Sequence, residues 1–408
     1  MYLTRRCLLK KELMSEPYIG NKSSLFSEFP VCPGIKYSVV IPVKNEANYI
    51  TNTLTALALQ NDINGEKLNP KLFEILVLAN NCSDNSVQLI QEFQLIHPEL
   101  NLYLVEIKLP KKSANIGFVR RMLMESAYLR LSSNNGGLIL TTDGDTTVAN
   151  DWIAQTQMEI VKGADVVGGR ILLYENEIQD LDLLTRLHHF KDEKYNLLIA
   201  ELEGIILNPD FDAAPRHHQH FNGSFAITTE CYAKSGGVPV VEYLEDCAFF
   251  DRLQLIDAKI RHSYNVKVHT SARCAGRTAI GLSQQLNVWQ SLGENIKEYQ
   301  VESSVSITER LYKKKSLMDL WHLKRRLTEP DFHSILISIF PDTVFDDQAF
   351  AFFKSCNYFG EWYHHLMGIT LIEHQNGLET DTIDMAIEKL QEMINDYSDA
   401  RFSQTSIR

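Results

Sequence analysis

The chain has 408 residues, of which 44% are hydrophobic and 23% are charged, and its formal net charge is -12 at pH 7. This composition excludes long disorder, collagen-like repeats and a disulfide scaffold, and the negative charge argues against extended binding to nucleic acid or to an anionic membrane surface. The length suits two domains, or one large domain with an extended tail.

The cysteines and the N-terminus predict where the protein resides. The seven cysteines are scattered, and none has C-x-x-C or zinc-knuckle spacing, which favours a reducing compartment. The N-terminus is charged but lacks the apolar stretch of a secretion signal, and no later run approaches the ~20 apolar residues of a membrane span. We therefore expect a soluble, cytoplasmic protein with no transmembrane segment.

Short β-branched runs alternate with amphipathic segments in the first half of the chain. The segments 48–60 and 85–96 carry apolar residues at helical spacing. The runs are YSVVIPV (37–43), FEILVLA (73–79), LYLVEI (102–107), GLILTT (137–142) and ADVVGG (164–169). This alternation predicts an α/β fold with a mostly parallel central sheet flanked by helices. In such sheets ligands bind beyond the carboxyl ends of the strands.

A charged, helix-like insertion over residues 175–220 interrupts this alternation. The strand pattern resumes at FNGSFAIT (221–228) and YNVKVHTSA (264–272), and the sequence is largely helical from residue 281 onwards. We expect an N-terminal extension over 1–35, a main domain over 36–280 that contains the insertion, and a helical C-terminal region over 281–408.

The strongest chemical signal is Asp143-Gly144-Asp145, directly after the apolar run LILTT. Two carboxylates at this spacing can face one ligand, and Mg²⁺ or Mn²⁺ favours such oxygens while keeping positions open for phosphate and water. A bound metal would stabilise a diphosphate leaving group. A plain turn is the alternative for an isolated motif, but the neighbouring motifs favour the metal site.

Two earlier strands also end in polar residues. Asn, Asp and Glu side chains there can hydrogen-bond a base and a ribose at one edge of the sheet. A strand-to-helix turn, or a helix N-cap from Ser83 or Asp84, is the alternative. The candidate contacts are Pro42, Val43, Asn45, Glu46, Asn80 and Asn81.

Gly117, Arg120 and Arg121 lie at a predicted helix start, which suits a pyrophosphate. Paired arginines are equally typical of a solvated helix face, so this segment alone decides nothing.

The candidate catalytic residues come later in the chain. Glu245-Asp246 could supply a carboxylate that accepts a hydroxyl proton, although such a pair is ordinary in the first turn of a helix. His269, at a strand end, could complete a metal shell, although a lone histidine there is more often structural.

Together and in this order, the segments resemble the family 2 glycosyltransferases of the GT-A, or nucleotide-diphospho-sugar transferase, fold over residues 36–280. The matching motifs are Pro42 to Glu46, Asn80 to Asp84, Gly117 to Arg121, Asp143 to Asp145 with Trp152, Asn222 to Ala226, and Glu245-Asp246 with Arg252-Leu253. The resemblance implies metal-assisted transfer of a sugar from a nucleotide-diphosphate donor to an acceptor, a small molecule or a glycan, that the sequence does not identify.

The resemblance also implies residue roles. Asp145 would bind the metal directly, Asp143 would lie nearer the ribose or touch the metal through water, and His269 would be a further ligand. Asp246 would be the general base, with Glu245 beside it. This arrangement favours inversion, although retaining enzymes share the GT-A architecture.

The chain departs from the family pattern at two places. Asn80 and Asn81 stand where the family usually has two aspartates, which leaves the nucleotide open. Arg120-Arg121 stands where many members have one arginine, so either could face phosphate. In addition, the segment 271–277 resembles an active-site loop whose arginines close over the diphosphate in a subset of the family. The cluster 216–220 (RHHQH) could line the acceptor pocket or, less favourably given its spacing, bind zinc; a polar loop is the alternative.

Two other functions are compatible with parts of the pattern. A nucleotidyltransferase would open with a glycine-rich loop, and residues 39–46 contain no glycine. A non-catalytic sugar-nucleotide-binding protein would have no chemical need for Asp143, Asp145, Glu245 and Asp246 together.

Overall fold

The computed structural model describes residues 25–111, 113–274, 280–295, 297–346, 348–373 and 379–405. Most of the predicted N-terminal extension and Arg277 of the predicted loop lie outside the described residues. The described residues form two compact units: the first lies within 1–186, 219–252 and 259–290, and the second lies within 187–218, 253–258 and 291–408. The predicted boundaries at 36 and 280 stay predictions.

Strands and helices alternate in the first part of the chain and helices dominate the last part. The strands are β1 (Tyr37–Val43), β2 (Phe73–Asn80), β3 (Asn101–Ile107), β4 (Leu138–Thr142), β5 (Thr146–Val148), β6 (Val166–Leu173), β7 (Ser224–Thr228), β8 (Ile260–Thr270), β9 (Gln300–Glu302) and β10 (Thr380–Thr382). The α-helices are α1 (Ile50–Ala58), α2 (Ser86–Ile96), α3 (Ile116–Ser132), α4 (Trp152–Val161), α5 (Glu175–Asp180), α6 (Leu183–Leu207), α7 (Thr229–Ser235), α8 (Glu245–Leu255), α9 (Leu282–Glu294), α10 (Ser304–His322), α11 (Glu329–Ile339), α12 (Ala349–Ser355), α13 (Phe359–Glu373) and α14 (Ile383–Thr405).

An eight-stranded sheet forms the first unit, in the order β3-β2-β1-β4-β7-β6-β8-β5. The pairs from β3 to β4 are parallel, as is β6 with β8, whereas β7 and β5 run antiparallel to their neighbours. The predicted α/β fold with a mostly parallel sheet is confirmed. The short strand β5 was not predicted, because three residues are too few to show an alternating pattern.

The sheet buries a different set of residues on each face, because successive strand side chains point to opposite sides. Val39 and Ile75 lie on the face that packs against apolar residues of α1, α2 and α4. Ser38 and Glu74 lie on the other face, where α3 contacts β1 and β2. Fully burying an aliphatic side chain contributes about 1.5–3 kcal/mol, so this layering holds the strand ends in fixed register.

A local cap sets where α3 begins. The side chain of Asn115 accepts a hydrogen bond of 2.8 Å from the backbone N–H of Phe118, so it satisfies one of the free donors of the first turn. This cap places Gly117 in the first turn and Arg120 at the start of the second, near the carboxyl ends of β1 and β4.

The second unit is mainly helical, and the predicted helical C-terminal region is confirmed. Its aromatic core includes Trp321, Phe332, Phe353 and Trp362, and the strands β9 and β10 pair antiparallel. Among the described residues, no helix is both long enough and apolar enough to cross a membrane.

Candidate active site

The carboxyl ends of β1, β2 and β4 meet at one edge of the sheet. The register pairs Val43 with Ala79 and Val40 with Thr141, so the residues that follow these strands are neighbours. Glu46 follows β1, Asn80 ends β2 and Asp143 follows β4. The structure thus brings the early sequence motifs together.

Two of the predicted base-binding asparagines hold loops together. Asn45 has a left-handed φ of 58°, and its Oδ1 accepts a 2.7 Å hydrogen bond from the backbone N–H of Ser83. Asn81 donates from Nδ2 to the carbonyl of Leu109 and accepts from the Leu109 N–H, both at 3.0 Å. These contacts fix the loops after β1, β2 and β3 against one another.

Asn80 differs from its neighbour. Asn80 is only 5% exposed, and among the described residues its Oδ1 has no hydrogen-bond partner. Leaving a buried acceptor unpaired costs about 1–3 kcal/mol, so this atom is suited to accept a hydrogen bond from a ligand. On the neighbouring strand β1, Pro42 is half-buried, whereas the Val43 side chain belongs to the apolar core.

Asp145 and Glu46 are two buried carboxylates that share one guanidinium. Arg273 Nη2 lies 2.7 Å from Asp145 Oδ2, and Arg273 donates to Glu46 Oε2 at 2.8 Å and Oε1 at 3.0 Å. Ser271 Oγ also donates to Asp145 Oδ2, at 2.7 Å. Gly144 between the two aspartates is tightly packed, since a Cβ there would lie 2.9 Å from Glu46 Cγ.

Arg120 lies between Asp143 and the predicted catalytic pair. Its Nη2 donates to Asp143 Oδ1 at 2.5 Å, and its Nε lies 3.9 Å from Glu245 Oε1. Within the part of the chain that the structure describes, this Nε has no hydrogen-bond partner although it is buried. Asp143 is more open, with 38% of its side chain exposed.

Only one of the consecutive residues Arg120 and Arg121 contacts Asp143. Arg121 Nη1 donates to the carbonyl of Val238 at 2.6 Å, whereas Arg120 donates to Asp143. Gly117 is required for packing, because a Cβ there would collide with the Val241 carbonyl oxygen. Arg120 is therefore the arginine at the site, and Arg121 and Gly117 hold α3 against the segment that precedes Glu245.

Glu245 and Asp246 begin helix α8, where Glu245 is buried and Asp246 is half-buried. Burial and the neighbouring Asp246 charge raise the pKa of Glu245 to about 7, although Arg120 opposes this change. Burial also raises the pKa of Asp246, which is half-buried by exposed area. Asn222 Nδ2 donates to Glu245 Oε1 at 3.3 Å, so the predicted acceptor strand contacts the acidic pair.

Other residues of the late motifs have structural partners. Trp152 is fully buried, and its Nε1 donates to Ser224 Oγ at 3.0 Å. Arg252 donates to the carbonyl of Gly237 at 3.1 Å and thereby holds the turn before α8. Both residues support the site without lying at the aspartates.

The structure does not gather the full predicted metal shell. His269 is exposed and pairs through its backbone with Thr147, and within the described ranges no three His, Cys, Asp or Glu side chains could hold a metal together. The donor chemistry still suits Mg²⁺ or Mn²⁺, because such ions commonly use one or two carboxylates and fill the remaining positions with phosphate and water. The buried carboxylate of Asp145 is suited to be such a ligand, because it already binds a positive charge, the Arg273 guanidinium.

The cluster 216–220 is largely occupied by protein contacts. Arg216 pairs with Asp212 at 2.7 Å and with Glu203 at 3.0 Å. The His220 ring stacks on Phe250 with a centroid distance of 3.6 Å. The acceptor role suggested for this cluster stays a prediction.

Sequence reasoning missed three contacts of the site. It did not identify the Arg273 ion pairs, the Ser271 hydrogen bond or the 3.1 Å hydrogen bond from Thr53 Oγ1 to the Gly144 carbonyl. The arginines of segment 271–277 were a signal for the first contact. Nothing in the sequence marked Thr53, which lies within the apolar helix α1.

Residues 38–209 match the family described as Glycosyl transferase family 2. The match covers less than half of the chain, and it supports a family 2 glycosyltransferase domain over these residues and a transferase enzyme. No curated protein matches the sequence.

Several solved structures are similar to this chain at low identity. One is the mannosyltransferase PcManGT from Pyrobaculum calidifontis in complex with GDP-Man and Mn²⁺, at 15% identity and a TM-score of 0.42, covering 92% of this chain and 84% of that one. Another is S. aureus TarS 1-349 in complex with UDP-GlcNAc, at 13% identity and 0.42, covering 86% and 95%. A further S. aureus TarS structure matches at 14% identity and 0.38 over 75% of this chain, which spans only 43% of that TarS chain.

Proposed function

We propose that this protein transfers a sugar from a nucleotide-diphosphate donor to an acceptor hydroxyl, with the help of Mg²⁺ or Mn²⁺ and with inversion. The observation that carries the proposal is the position of Arg120, which contacts Asp143 at 2.5 Å and approaches Glu245 at 3.9 Å. A donor held at the aspartates would therefore lie next to the acidic pair.

The donor would bind at the edge formed by β1, β2 and β4. The unpaired Oδ1 of Asn80 could accept a hydrogen bond from a base, and Arg120 would supply positive charge for the diphosphate. Asp145 would hold the metal, with Asp143 nearer the ribose or joined to the metal through water. When bound, the metal would neutralise the charge that develops on the leaving diphosphate.

Asp246 would act as the general base. Its carboxylate would take the proton from the acceptor hydroxyl while the oxygen attacks the sugar, which requires a base near the acceptor and suits a single displacement. Burial of the pair raises both pKa values, and a base whose pKa is closer to neutrality accepts a proton more readily. His269 as a further metal ligand, a small-molecule or glycan acceptor and a cytoplasmic location stay predictions.

A thermal-shift panel tests the donor site. UDP-, GDP-, dTDP- and CDP-sugars are each added with and without Mn²⁺ or Mg²⁺, because a ligand that binds only the native state stabilises it by about 2.7 kcal/mol at 100 times its Kd. We expect one nucleotide to raise Tm only when metal is present, and Asp145→Ala to lose this effect. If none of the four donors raised Tm in the presence of Mn²⁺ or Mg²⁺, the result would contradict the proposal.

A further inference from the structure

Asp145, the proposed metal ligand, already pairs with a positively charged side chain. Arg273 contacts Asp145 Oδ2 at 2.7 Å and both carboxylate oxygens of Glu46 at 2.8 and 3.0 Å. Its guanidinium also lies over the ring of Tyr49, 5.6 Å from the centroid. One side chain thus neutralises two buried acids.

The backbone that carries Arg273 is fixed on both sides. Ser271 Oγ donates to Asp145 Oδ2 at 2.7 Å, and the Ala272 N–H donates to Glu177 Oε2 at 2.7 Å. On the other side, Asn287 Nδ2 donates to the Cys274 carbonyl at 3.0 Å. The segment therefore presents Arg273 to the aspartate through several independent contacts.

Charge balance explains why the arginine is held there. Glu46 is 6% exposed and Asp145 is 8% exposed, and a buried carboxylate without a counterion is strongly unfavourable. An arginine guanidinium is always charged in proteins, so Arg273 supplies a permanent positive charge between these two carboxylates. A divalent ion that approaches Asp145 meets this positive charge.

We propose that Arg273 is a built-in counterion that competes with the divalent metal for Asp145. The inference rests on the proposed function, since it assumes that Asp145 is a metal ligand. A guanidinium binds phosphate as well as carboxylate in a bidentate manner, so a donor diphosphate offers Arg273 an alternative partner. Metal binding is then weak alone and strengthened by the donor, which is a positive coupling between the two ligands.

Mn²⁺ titration of the full chain without donor tests this competition, with free Mn²⁺ followed by electron paramagnetic resonance. Arg273→Ala should bind Mn²⁺ about ten-fold more tightly than wild type, because a positive charge next to the ligand has been removed. Arg273→Gln, which keeps hydrogen-bonding capacity but not the charge, should show the same gain. Lys71→Ala is the control: it removes one exposed positive charge just before β2, at the opposite edge of the sheet, and should bind as wild type does.

Two results would overturn the inference, and they differ in what they say about the proposed function. If both Arg273 variants bind Mn²⁺ no more tightly than wild type while the metal-dependent donor shift persists, Arg273 does not compete and the proposed function stands. If neither wild type nor any variant binds Mn²⁺ and no donor gives a metal-dependent rise in Tm, the metal-assisted function fails as well.

Discussion

The two ends of helix α3 each carry a buried arginine that pairs with an acid, and they differ in how completely the arginine is satisfied. Arg130, in the last turn, lies at the amino edge of the sheet. Arg120, the fifth residue of the helix, lies at the carboxyl edge. Both side chains are almost inaccessible, at 4% and 2% exposure, so burial alone does not distinguish them.

At the amino edge every donor of the arginine has a partner. Arg130 bonds both oxygens of Glu74, with a shortest distance of 2.6 Å, and donates to the carbonyls of Phe26, Phe29 and Pro30. Ser38 completes the set by donating to Glu74 at 2.6 Å. A fully satisfied buried pair of this kind fixes the chain and leaves nothing for a ligand.

At the carboxyl edge the satisfaction is incomplete. No described residue accepts a hydrogen bond from Arg120 Nε, and the nearby Glu245 and Asp246 have raised pKa values. Unsatisfied polar groups and perturbed carboxyls are more typical of functional sites than of structural ones. Both arginines are buried and charged, so the buried charge does not separate the candidate site from the structural pair. What separates them is how completely the arginine and its acidic partners are hydrogen-bonded and how far the pKa values of those acids are shifted.

The largest effect should come from the acidic pair at the carboxyl edge. Asp246→Asn keeps the shape of the side chain but cannot accept the acceptor proton, so we expect transfer to fall by about 10²- to 10⁴-fold. Donor binding should be unchanged, because the base acts only in the chemical step. The measurement is kcat for sugar transfer together with the Kd of the donor. If this variant retained full kcat, the acidic pair would not supply the base. The carboxyl edge of the sheet would then not differ in function from the amino edge.

Exchanging the two arginines for methionine should separate stability from activity. Arg130→Met leaves Glu74 buried without its counterion and should lower the free energy of unfolding by about 3–5 kcal/mol, while kcat per folded molecule is unchanged. Arg120→Met should lower kcat by about 10²-fold, because it removes a charge at the diphosphate, and should cost less stability. Denaturant unfolding and kcat of both variants check this.

The double variant Glu74→Leu with Arg130→Met is the control for the structural pair. It removes both buried charges, and we expect it to regain at least half of the lost stability. If Arg130→Met lowers kcat as strongly as Arg120→Met does, the two ends of α3 are not functionally different.

Much of this edge could be predicted from the sequence because its signals are local. The run 37–43 was predicted as a strand and forms β1 with the same bounds, and the run 73–79 is one residue shorter than β2. Apolar alternation followed by polar residues is visible in a window of about ten residues. The order of the motifs then predicted the fold and the convergence of Glu46, Asn80 and Asp143.

The rest depends on tertiary contacts that leave no local pattern. Arg120 and Arg121 are consecutive, so helix geometry turns them about 100° apart, and only the packing of α3 decides which one reaches Asp143. Arg273 and Glu46 are separated by 227 positions, and no pattern within either segment predicts their ion pair. The same holds for Asn45, whose partner Ser83 lies on another loop.

The smallest predicted effect concerns the protonation of Glu245. Its pKa is about 7 in the folded protein, above the ordinary value of 4.5, so the fold favours the protonated form. The stability from this preference is fully present below pH 4.5 and is lost as the pH rises through 7. Glu245→Gln resembles the protonated acid, and its Oε1 can still accept from Asn222.

We therefore expect Glu245→Gln to be about 1–3 kcal/mol more stable than wild type at pH 8, with little difference near pH 4.5. Melting temperatures of both proteins across this pH range measure the change, and Glu74→Gln is the matched control. That substitution removes a carboxylate that Arg130 fully pairs, so it should destabilise the protein at pH 8 instead of stabilising it. If Glu245→Gln were also destabilising at pH 8, Glu245 would be a satisfied structural acid like Glu74, and the two edges of the sheet would be alike.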